Sequence, residues 1–189
     1  MKHSQPDYRS ISQRGAPLSL VLLLLSLWAF IPKTAWAASS CRANGNLTVT
    51  VSGTGVTFGS YDVMSAAATP GTGTVTVSAT CTRANLPFTV NYSIALSTGG
   101  SGTFTPRSMT SGTSQLQYNL YTTASLTTIW GDGSGGTQTV ADMITGTCTG
   151  PGGRNCSGSQ PDTVYGNIPA TQNVVAGSYT DTINVTVAF

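Results

Sequence analysis

Short stretches of alternating apolar and polar residues recur through this 189-residue chain, and they constrain its fold more than any other feature. Each has the two-residue period of a half-buried β-strand. No window of useful length has the 3.6-residue period of a helix, so we expect an all-β fold of about seven short strands, as in a β-sandwich. The stretches are NLTVTV (46–51), TVTVSATC (74–81), FTVNYSIAL (88–96), LQYNLY (116–121) and GSYTDTINVTVAF (177–189).

Clusters of Gly, Pro, Asp and Ser separate these stretches and predict turns. The predicted turns are ATPGTG (68–73), STGGSGTFTP (97–106), GDGSGG (131–136) and TGPGGRNCSGSQP (149–161). Shorter strand candidates are GVTFGSYDV (55–63), TQTVADM (137–143) and TVYGNI (163–168).

The first 37 residues predict a cleaved secretory signal peptide. Basic residues precede the apolar run 18–31, and small residues at Ala35 and Ala37 form a cleavage site. The run is shorter than the roughly 20 residues that a membrane span needs. We therefore expect two regions, a signal peptide over 1–37 and one β-sandwich domain over 38–189, with no membrane association after cleavage.

The predicted mature chain, 38–189, contains no His, Lys or Glu. Its charged side chains are four Arg against five Asp, a net charge of −1, so we expect no basic patch for nucleic acid or an anionic membrane. General acid–base catalysis relies most on His, and Ser–His or Cys–His nucleophile pairs cannot form. No two Asp lie in a recognisable motif. The sequence therefore predicts no catalytic residue, no cofactor and no enzyme activity.

All four cysteines, Cys41, Cys81, Cys148 and Cys156, follow the predicted cleavage site. An even number in an exported chain predicts two disulfides, although four cysteines allow three pairings. Cys148 and Cys156 bracket a Gly-rich loop and are natural partners, and Cys41 would then pair with Cys81. A zinc site is disfavoured because the spacings of 40, 67 and 8 contain no C-x-x-C pair.

Five segments occur in an order that resembles the spore coat protein U domain family, which includes the subunits of archaic (Csu-type) chaperone–usher pili. The resemblance covers 41–189. The segments are FGSYD (58–62), SIALSTGGSGTFTPRSM (93–109), LQYNLYT (116–122), WGDGSGGT (130–137) and VYGNIPATQNVVAGSYTDTINVTVAF (164–189).

The resemblance implies an immunoglobulin-like β-sandwich that lacks its last strand. In such pilins a periplasmic chaperone fills the open groove first, and the N-terminal segment of a neighbouring subunit then replaces it. The implied partners are therefore a periplasmic chaperone, an usher and neighbouring subunits. The C-terminal strand, 178–189, would form one wall of the groove. Its docking residues would be Tyr179, Ile183, Val185, Val187 and Phe189.

Two features depart from the pilin pattern. Only three residues, 38–40, precede Cys41 in the predicted mature chain, which is too few for a donor strand. We therefore expect a chain that accepts a strand without giving one, as at the tip of a fibre. The second departure is Thr171, which stands in IPATQ where the pattern leads us to expect Gly.

Three single residues have alternative interpretations. Asp132 in GDGSGG suggests calcium binding, but the loop lacks the spaced acidic ligands of an EF-hand, so a tight turn is favoured. Trp130 suggests sugar stacking, but a core position is favoured. Arg107 and Asp132 are candidates for a structural ion pair.

The sequence thus predicts an exported, non-enzymatic structural or adhesive protein. The specific expectation is a chaperone–usher pilus subunit that passes through the periplasm to the cell surface, accepts a strand there and contributes to adhesion and biofilm. The alternative is a free-standing secreted spore or cell-coat protein. A carbohydrate-binding domain is a third possibility.

Overall fold

A computed structural model describes Cys41 and residues 45–82, 87–149 and 155–189. The predicted signal peptide and the three residues after it lie outside the described residues. In the described part, no helix has the length and apolar character needed to cross a bilayer. The strands are β1 Asn46–Thr57, β2 Thr69–Thr82, β3 Phe88–Leu96, β4 Arg107–Ser111, β5 Ser114–Tyr121, β6 Val140–Thr149, β7 Asn155–Ile168 and β8 Val185–Ala188.

The strands form one curved antiparallel sheet in the order β1-β2-β7-β6-β3-β8. The β4–β5 hairpin branches from β7, because β5 pairs with residues 165–167 of that strand. The sheet folds over itself as a nearly closed sandwich. The predicted all-β, immunoglobulin-like sandwich is confirmed, and β1 and β8 are the two ends of the strand path.

Alternation places the apolar side chains of the central strands between the layers. β3 shows this most regularly, since Phe88, Val90, Tyr92, Ile94 and Leu96 are all buried. Trp130 is fully buried, and its indole N–H donates to the carbonyl oxygen of Ile94 at 3.0 Å. The core interpretation of Trp130 is therefore confirmed.

Two predicted turns are partly strands. β2 begins at Thr69 and includes most of ATPGTG. A Cβ on Gly71 would lie 2.7 Å from the Phe58 ring, and one on Gly73 would lie 2.8 Å from the carbonyl oxygen of Thr54. These glycines therefore make room for the neighbouring strand β1 and for Phe58.

β7 also begins earlier than expected, at Asn155 rather than after Pro161. It pairs with β2 along its whole length. On its other side it pairs with β6 only over 155–157 and with β5 only over 165–167. Pro161 thus lies where no described strand pairs with the second side of β7, a position at which a missing amide N–H is tolerated.

The predicted continuous strand over 178–189 is wrong in extent. Only Val185–Ala188 pairs as a strand, with β3. Upstream, Thr180 makes a single bridge to Thr110 of β4. The segment changes partner because it passes from the β4–β5 hairpin to the edge of β3.

Thr171 has φ 60°, in the left-handed region that favours glycine. Its hydroxyl donates to the carbonyl oxygen of Ala170 at 2.8 Å. The backbone at this position therefore accounts for the Gly that the family pattern leads us to expect.

Candidate strand-docking cleft

An open cleft lies between the two ends of the strand path. One side, which we call the β1 wall, is formed by residues 51–58, and the other, the C-terminal wall, by residues 179–185. Since every pairing along the path is antiparallel, β8 runs antiparallel to β1. The cleft has a volume of about 620 Å³. Its floor is the apolar core, represented by Val75, Leu96, Met109, Tyr118, Leu120 and Val164.

The β1 wall is a strand edge with two glycines at its middle. β1 pairs with β2 along one side, and no described strand pairs with its other side. Gly53 and Gly55 occupy the middle of the wall, next to a bulge that shifts the register between Thr54 and Thr57. Val51, 45% exposed, lies at one end. Backbone N–H and C=O groups are thus accessible along this wall.

The C-terminal wall is attached to the body of the protein along its length. Thr180 exchanges two backbone hydrogen bonds with Thr110, at 2.9 and 3.1 Å. The amide of Ser97 donates to the carbonyl oxygen of Asn184, and the amide of Asn184 donates to the Ser97 hydroxyl at 2.9 Å. The Tyr179 hydroxyl donates to the carbonyl oxygen of Val175 at 2.8 Å. The described pairings leave the cleft-facing side of this wall without a partner strand.

A second chamber of about 680 Å³ continues the cleft. It lies between residues 56–61 and residues 176–179. Val56, Phe58, Met109 and Tyr179 line both chambers, so the two form one groove. The β1 side of this groove extends from Val51 to Tyr61.

Phe58 lies where the two chambers meet. Its ring packs edge-on against Tyr118, with the ring centroids 5.8 Å apart. The backbones of Gly71 and Gly166 pass close beneath it, since a Cβ on either would lie within 2.7 Å of the ring. The ring is therefore held in a slot that only glycines can form.

Asp181 is the carboxylate of the cleft lining. Its Oδ1 accepts from the amides of Gly100, at 2.8 Å, and Thr182, at 2.7 Å, and its Oδ2 accepts from the Tyr118 hydroxyl at 2.6 Å. Burial, followed by this bond to Asp181, raises the pKa of Tyr118. The tyrosine is therefore a fixed hydrogen-bond donor at neutral pH.

The domain that contains this cleft also matches a known protein family. Residues 29–186 match the model of the Spore Coat Protein U domain. The chain belongs to that family. No curated protein matches it.

One similar solved structure is the CsuC–CsuE chaperone–tip adhesion subunit pre-assembly complex from the archaic chaperone–usher Csu pili of Acinetobacter baumannii. The match has 21% identity and a TM-score of 0.45, and it covers 76% of this chain and 40% of that one. The chain therefore spans well under half the length of the solved chain.

The predicted docking residues of this Spore Coat Protein U domain separate into two groups. Tyr179, Ile183 and Val185 line the cleft. Val187 packs against the core beyond the cleft lining, and Phe189 is 63% exposed at the end of the chain. The structure brings the first three together, and a docking role for all five stays a prediction.

Sequence reasoning missed the β1 wall. GVTFGSYDV was only a short strand candidate, and nothing local showed that Phe58 reaches Tyr118 or that β1 faces the C-terminal segment. The available signal was the glycines at 53 and 55, which interrupt an otherwise regular alternation.

The expected ion pair between Arg107 and Asp132 is absent from the described structure. Arg107 is fully buried, and its guanidinium donates to the carbonyl oxygens of Ser97 and Trp130 and to the Asn119 side chain, at 2.7 to 3.1 Å. Burial lowers the pKa of Arg107. Backbone carbonyl oxygens take the place of the expected Asp132 carboxylate beside Arg107, because Asp132 lies at an exposed turn.

Asp132 itself forms a tight turn. Its Oδ1 accepts from the amide of Ser134 at 2.8 Å and from the Ser134 hydroxyl at 2.6 Å. These bonds lower the pKa of Asp132. Among the described residues, no three His, Cys, Asp or Glu side chains come close enough to bind a metal ion.

Both disulfides of the structure join the predicted pairs, Cys41–Cys81 and Cys148–Cys156. Cys156 is the register partner of Cys81 on one side and of Cys148 on the other. The two bonds therefore lie side by side across β2, β7 and β6. Cys41–Cys81 also ties the chain ahead of β1 to β2, at the opposite end of β1 from the β1 wall.

Proposed function

We propose that this domain is a non-enzymatic subunit of a chaperone–usher surface fibre that accepts a β-strand from another chain. The observation that supports it best is the cleft, which has an unpaired strand edge in its β1 wall, a C-terminal wall without a partner strand on its cleft-facing side, and an apolar core as its floor. An extended segment that enters such a cleft gains main-chain hydrogen bonds from both walls and buries alternate side chains in the floor.

The size of the groove supports a strand as the occupant. Its β1 side extends from Val51 to Tyr61. At about 3.3 Å per residue, this length suits an inserted strand of about ten residues.

Membership of the Spore Coat Protein U domain family supports the assembly pathway. The proposed sequence of partners is a periplasmic chaperone, which fills the cleft during export, then an usher, and then a neighbouring subunit whose strand replaces that of the chaperone. The assembled chain lies at the cell surface, at the tip of the fibre, and contributes to adhesion and biofilm.

Gly55→Val tests the cleft without disturbing the fold. Gly55 lines the cleft, does not adopt a left-handed φ, and a Cβ built on it meets nothing within 4 Å. The valine side chain therefore extends into the space that a strand needs. We expect it to weaken binding of a synthetic alternating Val–Thr peptide of about ten residues by about tenfold or more.

The control is Thr50→Val, which places the same valine side chain on the outward, exposed face of the same strand by replacing a hydroxyl with a methyl group. It is expected to leave peptide affinity and thermal unfolding unchanged. Affinity is measured by calorimetry on the oxidised mature chain. Equal loss in both variants, or none in either, contradicts the cleft as the binding site.

Solution behaviour separates this proposal from the free-standing coat protein. Aggregation of the oxidised chain alone, reversed by the Val–Thr peptide, supports an open cleft that needs an occupant. A soluble monomer with cooperative unfolding that the peptide does not change supports the coat protein.

A further inference from the structure

Asp181 interrupts an otherwise apolar face of the C-terminal wall. Tyr179 and Ile183 flank it at alternate positions, and both pack against the core. Asp181 shares their inward direction, because its Oδ2 reaches the hydroxyl of buried Tyr118. A carboxylate therefore faces the space that the proposed strand would fill.

This carboxylate retains capacity for another hydrogen bond. An ionised carboxylate has about four acceptor positions, and the bonds from Gly100, Thr182 and Tyr118 use three of them. Arg107 is the only Arg or Lys among the described residues, and its guanidinium is bound to two carbonyls and Asn119. Arg107 acts on Asp181 as a nearby positive charge, but no hydrogen bond joins the two side chains in the described structure.

Filling the cleft would remove water from Asp181. A buried carboxylate position without a donor is unfavourable, whereas a charge-assisted hydrogen bond is among the strongest that proteins form. An inserted strand with apolar side chains at every inward position would leave this acceptor unsatisfied. One with an N–H or O–H donor at the level of Asp181 would satisfy it.

We propose that Asp181 selects the occupant of the cleft: the inserted strand carries a hydrogen-bond-donating side chain, such as Asn, at the one inward position that faces Asp181. This inference rests on the proposed strand-acceptor function. It assigns a specificity role to Asp181 that is separate from its attachment of the wall to Gly100 and Tyr118.

Asp181→Asn separates these two roles. The amide oxygen of Asn still accepts from Gly100 and Thr182, and its NH₂ group donates to the Tyr118 oxygen, so the attachment is kept. Towards the cleft, however, the side chain now offers a donor where the native protein has an acceptor. The preference for the strand should change while the fold does not.

The experiment uses Val–Thr peptides in which successive inward positions carry Asn, Asp or Leu in turn. With the native chain, we expect one position at which Asn binds about tenfold or more tightly than Asp. Asp181→Asn should reduce that ratio to about one at the same position. An unchanged ratio in the variant, or Leu as the best residue at every position, overturns the inference.

Tyr118→Phe provides a second variant. It keeps the ring against Phe58 and removes the donor to Oδ2, so the preference for Asn over Asp should increase at the same position. A preference that falls or moves to another position contradicts the inference. Peptides that bind without any preference overturn only the role of Asp181, whereas failure of every peptide to bind overturns the strand-acceptor function as well.

Discussion

The two walls of the cleft differ in how they are held. The β1 wall is held by continuous backbone pairing with β2 and has glycines at positions 53 and 55. The C-terminal wall is a regular strand only from Val185, so single backbone bonds to Thr110 and Ser97 are supplemented by side chains, with Asp181 bound to the Gly100 amide and the Tyr118 hydroxyl and Tyr179 bound to Ser114. The β1 wall therefore leaves space for the side chains of an inserted strand, and the C-terminal wall presents a fixed hydrogen-bonding group, Asp181.

This difference assigns separate tasks to the walls. Side chains of an inserted strand find room beside the middle of the β1 wall, because Gly53 and Gly55 have no side chains there. The register of the strand is set at the C-terminal wall, where Asp181 differs from its apolar neighbours. Substitutions in the β1 wall should therefore alter how tightly a strand binds, and substitutions at Asp181 should alter which strand binds.

The largest expected effect comes from the disulfide ahead of β1, the strand that contains the β1 wall. Cys41→Ala with Cys81→Ala opens a loop with a sequence separation of 40 and should lower the free energy of unfolding by about 4 kcal/mol on the chain-entropy model. Cys148→Ala with Cys156→Ala opens a separation of only 8 and should cost about 2.5 kcal/mol. Urea unfolding measures both.

The second pair is the control for the first, because it removes a disulfide that closes a much shorter loop and does not tie the chain ahead of β1 to β2. Equal losses of unfolding free energy in the two double variants would mean that loop length does not determine how much a disulfide stabilises the fold. Equal unfolding of the native chain with and without reductant would mean that neither bond stabilises the fold.

An intermediate effect is expected at the aromatic end of the same wall. Phe58→Ala removes a ring that packs on Tyr118 and over two glycines. Because Phe58 is only half-buried, we expect a loss of about 2–3 kcal/mol, below the 3–5 of a fully buried Phe. Thermal and urea unfolding provide the measurement.

Val51→Ala is its matched control, since Val51 lies on the same wall but is largely exposed. We expect it to change the free energy of unfolding by about 0.5 kcal/mol or less. Similar losses for the two variants would show that Phe58 contributes no more than an exposed side chain.

The smallest expected effect lies away from both walls. Asp162 is buried and accepts from the Tyr92 hydroxyl at 2.8 Å. Burial raises the pKa of Asp162, and the nearby Asp142 raises it further, against the lowering effect of Tyr92. The folded chain then binds a proton more readily than the unfolded one, so stability decreases as pH rises from the unfolded pKa through the folded one.

Asp162→Asn should remove this decrease, because the amide oxygen can still accept from Tyr92 while the charge is gone. The measurement is the free energy of unfolding between about pH 4 and pH 7. Asp132→Asn is the opposite control. The pKa of Asp132 is lowered, so its contribution is present above the unfolded pKa and is lost as pH falls. Parallel pH curves for the native chain and Asp162→Asn would contradict the assignment.

The alternation of apolar and polar residues correctly predicted the strands whose side chains point in turn into the core and towards the surface. β3 matches FTVNYSIAL residue for residue, because all its inward side chains are buried and apolar. The same pattern did not predict strand residues at positions where glycine is needed because another segment of the chain passes close by. Gly71 and Gly73 resemble a turn locally, yet they lie in β2. Gly71 makes room for Phe58 and Gly73 for the backbone at Thr54, both more than ten residues earlier.

The candidate site was predicted only in part, because local patterns do not show which distant segments come together. The C-terminal segment could be identified because the family resemblance and its alternation coincide, although its division between β4 and β3 could not. The β1 wall depends on a long-range arrangement that no local pattern encodes. Asp181 was visible in the sequence as the exception to an apolar face, but its bonds to Gly100 and Tyr118 depend on tertiary structure.

The opposite directions of β1 and β8 give the cleft a polarity. Any strand that lies between them runs parallel to one wall and antiparallel to the other, so it can enter in two orientations that are chemically distinct. Sliding cannot convert one orientation into the other. Two occupants of opposite orientation therefore use the same backbone groups in different patterns, so each position of the cleft can be bonded to only one of them at a time.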